Sequence, residues 1–170
     1  MSAKPKTEWP EGVWQREPDQ SRWVDAKTGL DCLVLRGPVG AWCGYVGVTL
    51  EHPAYGFANS KYDYSIDEVV SGEATKAVNI QSQINAIDVH GGLTYAGSDD
   101  LRGCDRHWFG FDCSHAGDFA PGYEDVTRLG LPTGWGTVIE YRDMAYVQEE
   151  CRRLAEQLAA IDPSRPPSST

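Results

Sequence analysis

The strongest constraint on the fold is a stripe of apolar side chains near the C-terminal end of the sequence. They recur at alternating intervals of three and four residues: Met144, Val147, Cys151, Leu154, Leu158 and Ile161. This spacing places them on one face of an amphipathic helix. Asp143 is a good N-cap, and Pro163 ends the helix soon after Ile161. The helix can pack on its own domain or on a second copy of the chain, so the sequence allows a monomer or a homo-oligomer.

Short β-favouring segments separated by turn signals precede this helix. Lys27-Thr28-Gly29 separates residues 22–25 from residues 32–36, which predicts a hairpin. A second turn at residues 37–40 leads into a strand over residues 42–48, which are rich in β-favouring side chains. The first third of the domain is therefore predicted to be a hairpin followed by a third strand.

The middle of the sequence is less regular. Short strands are predicted at residues 87–89, 108–111 and 138–141, while residues 73–86 fit a helix or a strand equally well. A capping box at residues 65–68 predicts the start of a short helix.

Strands and turns followed by a terminal helix predict an α+β fold with a single domain. We expect a mostly antiparallel twisted sheet with the C-terminal amphipathic helix packed on it. The length of 170 residues and the hydrophobic fraction of 41% agree with one domain. We expect an extended N-terminal arm over residues 1–20, the α+β domain over residues 21–161 and a flexible tail over residues 162–170.

Charge and composition exclude several classes of function. The net charge of −10 gives an acidic surface that repels phosphates and lipid headgroups, so we expect neither direct nucleic-acid binding nor membrane contact. The sequence lacks an apolar run of about 20 residues and a secretory signal. Its five cysteines form no CxxC pair, which is typical of free thiols in a reducing cytoplasm. The absence of GxxxxGK(S/T) and GxGxxG motifs disfavours P-loop and Rossmann nucleotide enzymes.

Two glycine-flanked Asp/His motifs make the stretch from Asp88 to Asp118 the candidate functional site. The first motif runs over residues 88–97 and the second over residues 107–118. Alternate residues of a strand share a face, so Asp88 and His90 are expected to point together, and strand pairing would bring the motifs together. The candidate binding residues are Asp88, His90, Gly91, Gly92, Thr94, Tyr95, Trp108, Asp112, His115 and Asp118.

These residues allow four interpretations. In the first, glycines let a ligand or partner approach the backbone while Tyr95, Trp108 and Phe109 stack on it, and no cofactor is needed. In the second, a divalent metal activates water for hydrolysis. Its ligands would be His90, Asp112, His115 and Asp118, with Asp88 as a further candidate. In the third, Cys113 is a nucleophile with His115 as its base. In the fourth, the Asp and His side chains only satisfy backbone groups at turns.

Several phrases in the sequence resemble a family of small accessory proteins of bacteriophages and prophages. The most specific are the HGGLT motif at residues 90–94, the WFGFDC motif at residues 108–113 and the HAGD motif at residues 115–118. The resemblance covers roughly residues 22–160 and implies a protein made in the cytoplasm of a bacterial host. It implies binding of a host protein or a small ligand such as a nucleotide, with inhibition of a bacterial defence system. It implies no catalytic role for any residue.

Overall fold

In a computed structural model, which describes residues 4–59, 72–99, 102–103, 105–122 and 139–168, an antiparallel sheet forms the centre of the fold. Five strands are found among these residues: β1 Gln20–Val24, β2 Asp31–Arg36, β3 Trp42–Val48, β4 Tyr95–Gly97 and β5 His107–Asp112. Their order in the sheet is β1-β2-β3-β5-β4, and each neighbouring pair is antiparallel. The described residues also form two helices, α1 Gly72–Asn85 and α2 Met144–Ala159. The predicted α+β fold is confirmed.

Helix α2 packs on the sheet through the apolar stripe that its sequence predicts. Val147, Cys151, Leu154 and Leu158 are fully buried in a core that also contains side chains of β2, β3 and β5. Asp143 is the N-cap, and its Oδ1 accepts a hydrogen bond from Tyr146 N at 2.8 Å. Close packing needs a glycine in β3, because a Cβ on Gly44 would lie 2.7 Å from Cys151 Sγ.

The two faces of the sheet carry separate apolar clusters. Phe109 and Phe111 of β5 belong to the main core beneath α2. Trp108, the neighbour of Phe109, belongs to a smaller cluster with Leu33 and Tyr45. Since successive side chains of a strand point to opposite faces, this second cluster lies on the face away from α2.

The N-terminal arm is folded against the domain. It contains two short 3₁₀ turns, Lys6–Glu8 and Val13–Gln15, and it buries the Trp9 side chain. Further along, the Glu17 carboxylate accepts hydrogen bonds from Arg36 Nη2 at 2.6 Å and from Met144 N at 2.9 Å. The arm thus connects β2 with the first turn of α2.

Several local predictions for the middle of the sequence are wrong. Residues 87–89 form no strand and instead belong to the connection between α1 and β4. At residues 139–141 the structure has only an isolated parallel bridge between Glu140 and Asp118, with Val138 outside the described residues. The ambiguous stretch at residues 73–86 is helical as far as Asn85. The predicted capping box at residues 65–68 lies outside the described residues. No helix in the described part of the chain is long and apolar enough to cross a membrane.

Candidate functional site

A polar stripe on α2 holds the connection that carries the first Asp/His motif. The stripe recurs at helical spacing and consists of Tyr146, Glu150, Arg153 and Gln157. The Gln157 amide donates to Asp88 O at 2.9 Å and accepts from Asp88 N at 2.8 Å. The Glu150 carboxylate accepts from His90 N at 2.8 Å. This part of the chain is therefore fixed by side chains of α2 rather than by pairing within the sheet.

The imidazole of His90 lies between a tyrosine and a buried carboxylate. Its Nδ1 lies 3.0 Å from Tyr146 Oη, and its Nε2 lies 2.8 Å from Asp118 Oδ2. An ionised carboxylate only accepts hydrogen bonds, so Nε2 of the neutral ring carries the proton and Nδ1 accepts from the tyrosine hydroxyl. The orientation of the ring is thus fixed at both nitrogens.

Asp118 is the most buried of the polar side chains at this site, with only 3% of its side chain exposed. Burial alone would raise the pKa of its carboxyl group, but hydrogen bonds from His90, from His115 N at 3.0 Å and from Arg142 Nε at 3.2 Å lower that pKa below its usual value. The Arg142 guanidinium contacts Oδ1, whereas His90 and the backbone of His115 contact Oδ2. The carboxylate is therefore held charged inside the protein.

His115 differs from His90 because one of its nitrogens is left without a partner. About 37% of its side chain is exposed, yet its Nδ1 is buried and has no hydrogen-bond partner among the described residues. That Nδ1 lies 3.7 Å from Asp118 Oδ2. The ring stands directly over Gly91, where a Cβ would lie 2.1 Å from His115 Cε1. Gly91 also has a φ of +67°, which favours glycine.

His90, His115 and Asp118 together form a group that we call the His/Asp cluster. One potential ligand atom from each residue lies within 4.8 Å of the others, and no other such group of three occurs in the described part of the chain. Two imidazoles and a carboxylate are a donor set that suits a divalent transition metal. The same groups are also suited to hydrogen bonding with a bound ligand.

The remaining candidate residues of the two motifs lie outside the cluster. The Asp88 side chain is 84% exposed and pairs with Arg153 at 3.0 Å, so Asp88 and His90 do not form the expected pair. Asp112 accepts from Ser114 N at 3.1 Å in a turn. Thr94 N donates to Gly110 O at 2.8 Å, and Gly92 adopts a φ of +83°.

The aromatic wall expected from Tyr95, Trp108 and Phe109 does not form. Trp108 and Phe109 are fully buried and lie on opposite faces of the sheet. Tyr95 packs against Tyr45 on the face away from α2, with the two ring centroids 5.7 Å apart. These side chains belong to the two apolar clusters, and none of the three forms a ring contact with His90 or His115.

The environment of Cys113 opposes its use as a nucleophile. The residue is 1% exposed, and burial together with the nearby Asp118 carboxylate raises the pKa of the Cys113 thiol far above its ordinary value. A thiol with a raised pKa supplies little thiolate at neutral pH. Cys113 is thus one of the free thiols of the core.

Three residues at the site were missed from the sequence. Tyr146 and Glu150 belong to a polar stripe with helical spacing, so the sequence shows that they share a face of the helix. It does not show that this face contacts His90. Arg142 lies 24 residues from its partner Asp118, and no sequence pattern marks that pairing.

No protein-family model, curated protein or solved structure matches this chain.

Proposed function

We propose that the protein acts by binding and that its contact site is the His/Asp cluster. The observation that carries this proposal is the state of His115. Its buried Nδ1 lacks a partner, which costs on the order of 1–3 kcal/mol, and its ring requires a glycine beneath it. An arrangement that lowers stability in this way is typical of a functional site, where a bound group supplies the missing contact.

The class of partner is proposed from the sequence. The resemblance to bacteriophage and prophage accessory proteins supports a host protein, or a small ligand such as a nucleotide, as the partner in the bacterial cytoplasm. Inhibition of a defence system is the role that this context favours. The net charge of −10 supports a partner with a basic surface, because opposite charges accelerate encounter.

Affinity capture from bacterial lysate with three forms of the protein tests this proposal. The forms are wild type, His115→Ala and the control Asp112→Asn, whose site of substitution lies in the second motif but outside the His/Asp cluster. Captured proteins and released small molecules are identified by mass spectrometry, and the affinity for the purified partner is then measured by calorimetry.

We expect wild type and Asp112→Asn to bind a partner with the same stoichiometry and affinity. We expect His115→Ala to bind it at least about tenfold more weakly, which corresponds to about 1.4 kcal/mol. Equal binding by all three forms would show that the contact site lies elsewhere. Failure of wild type to bind any protein or small molecule would refute the proposal as a whole.

A further inference from the structure

We infer that the His/Asp cluster binds a divalent transition-metal ion, with Zn²⁺ as the best match. This inference rests on the proposed function, because it names the ligand of the same site. The donor atoms would be His90 Nε2, His115 Nδ1 and Asp118 Oδ2, which lie close enough to share one ion. The ion would lie on the inner side of the His115 ring, because Nδ1 is buried although 37% of the side chain is exposed, and a water molecule or a partner group would complete its coordination.

The separation of the donor atoms agrees with such an ion. Nitrogen and carboxylate ligands lie about 2.0–2.2 Å from Zn²⁺, so two ligand atoms of a tetrahedral site are roughly 3.4 Å apart. His115 Nδ1 and Asp118 Oδ2 are 3.7 Å apart, which is already close to that value. The ion would also give the buried Nδ1 of His115 the partner that it lacks. His90 Nε2, at 2.8 Å from Asp118 Oδ2, would have to move away by roughly half an ångström.

Tyr146 allows His90 to change its proton arrangement without losing its orientation. In the metal-free site Nε2 carries the ring proton and Nδ1 accepts from the tyrosine hydroxyl. To bind the ion, the neutral ring needs its proton on Nδ1, and the hydroxyl of Tyr146 at 3.0 Å can rotate to accept it. Histidines that bind metals usually donate their other N–H group to such a partner. Tyr146 is therefore a positioning residue for this site.

The charges around the cluster favour a cation over an anion. An anion such as free phosphate would meet the Asp118 carboxylate, whose Oδ2 faces both imidazoles. Arg142 contacts the other oxygen, Oδ1, and is itself paired with Glu140 at 2.7 Å. Oδ2 accepts from His115 N at 3.0 Å and would lose the hydrogen bond from His90 once Nε2 binds the ion, which leaves a lone pair of Oδ2 for the metal. Two imidazole nitrogens and one oxygen select transition metals over Mg²⁺ and Ca²⁺, which prefer all-oxygen sites.

Titration of the tag-free full chain with Co²⁺ tests this inference. The visible absorption of bound Co²⁺ reports the coordination geometry, and competition with Zn²⁺ gives the affinity for zinc. We expect one Co²⁺ per chain, displacement by Zn²⁺, and a rise in melting temperature that a chelator reverses. Hydrolysis at the cluster, the alternative drawn from the sequence, would require this metal-binding step first.

Variants locate the ion on the proposed ligands. His115→Ala should lower the affinity for Co²⁺ by roughly 100-fold or more, and Tyr146→Phe by roughly 10- to 100-fold. Two controls should bind as wild type does: Asp112→Asn, and His52→Gln, which removes a histidine outside the cluster. Because His115 is partly exposed, His115→Ala is expected to fold, and circular dichroism checks this directly.

Two outcomes would overturn the inference: wild type that binds no Co²⁺ or Zn²⁺, or binding that His115→Ala leaves unchanged. Partner capture by wild type in the presence of a chelator, sensitive to His115→Ala, would support the proposed function and show that the partner binds without the ion. Metal binding by a chain that captures no partner would support the metal and leave the proposed host or small-ligand partner refuted.

Discussion

Gly91 and Gly92 are neighbours with similar backbone angles but different surroundings. Their φ values are +67° and +83°, so both lie in the left-handed region that other residues avoid. A Cβ on Gly91 would collide with the His115 ring, whereas a Cβ on Gly92 would have no described atom within 4 Å. Position 92 therefore needs glycine only for its backbone conformation. Position 91 needs glycine for its backbone conformation and for the space that the His115 ring occupies.

We predict that Gly91→Ala destabilises the protein more than Gly92→Ala. Gly92→Ala should cost about 1–2 kcal/mol, the usual price of a left-handed conformation in an L-residue. Gly91→Ala should cost more because it also displaces His115. The excess should disappear in a His115→Ala background, as a double-mutant cycle measured by urea unfolding would show. Equal costs for the two glycines in the wild-type background would contradict this account.

His115 itself should contribute little to stability. We predict that His115→Ala changes the free energy of unfolding by less than about 1 kcal/mol, because the packing lost with a partly exposed ring is offset by the removal of a buried nitrogen that has no partner. Chemical denaturation at pH 7 measures this quantity. A loss of more than about 2 kcal/mol would mean that His115 is a structural residue, and the case for a binding role would weaken accordingly.

Helix α2 is held at its first turn by two carboxylates from different parts of the chain. Asp143 accepts from Tyr146 N, and Glu17 of the N-terminal arm accepts from Met144 N. Glu17 also pairs with Arg36, whose side chain is only 2% exposed. The arm and the helix are therefore energetically coupled.

We predict that Glu17→Ala destabilises the protein more than Asp143→Ala does. Loss of the N-cap at Asp143 should cost about 0.5–2 kcal/mol. Loss of Glu17 should cost about 2–3 kcal/mol, because it removes at once the acceptor of Met144 N and one of the two carboxylates that pair with the buried Arg36 guanidinium, the other being Asp19. Urea unfolding measures both values. If Glu17→Ala were the milder change, the N-terminal arm would not stabilise the first turn of α2 through Glu17.

The elements that local patterns specify were predicted well, and those that depend on distant contacts were not. The stripe of α2 and the β1–β2 hairpin follow from spacing within a short window. Val89, by contrast, is buried by the core without being in a strand, and the Asp88 backbone is paired with the Gln157 side chain. No periodicity reveals such a partner 69 residues away.

The same distinction holds for the candidate site. His90, His115 and Asp118 were identified because glycine-flanked Asp and His residues are visible in the sequence, and the structure does bring these three together. The prediction for Trp108 and Phe109 was wrong because it placed two adjacent residues of a strand on the same side of the binding site. Alternation of side chains places them on opposite faces.

The whole molecule should be sensitive to acid. The pKa values of Asp118 and Glu17 are both lowered: burial opposes ionisation, but hydrogen bonds outweigh it, and the charge of Arg36 adds to the effect at Glu17. In the unfolded chain these groups have a pKa of about 4. Because the folded state favours the charged forms, their contribution is present above about pH 4 and is lost as the pH falls towards the lowered values.

We predict that Asp118→Asn reduces this dependence on pH. The free energy of unfolding of wild type should fall between about pH 5 and pH 2.5, and that of the variant should fall less steeply. The difference between the two proteins should therefore shrink in acid. Urea unfolding across this range measures it, and a difference that stays constant would show that Asp118 is not held in its charged form by the fold.

The two stripes of α2 have a consequence for how the protein opens. The apolar stripe completes the core, while the polar stripe holds the chain at His90. A fluctuation that separates α2 from the sheet must therefore break the packing of the core and the hydrogen bonds that hold His90 at the same time. Hydrogen exchange should find the amides of His90 and of α2 in a single cooperative unit, and an ion or partner bound at the cluster should slow exchange in both by the same factor.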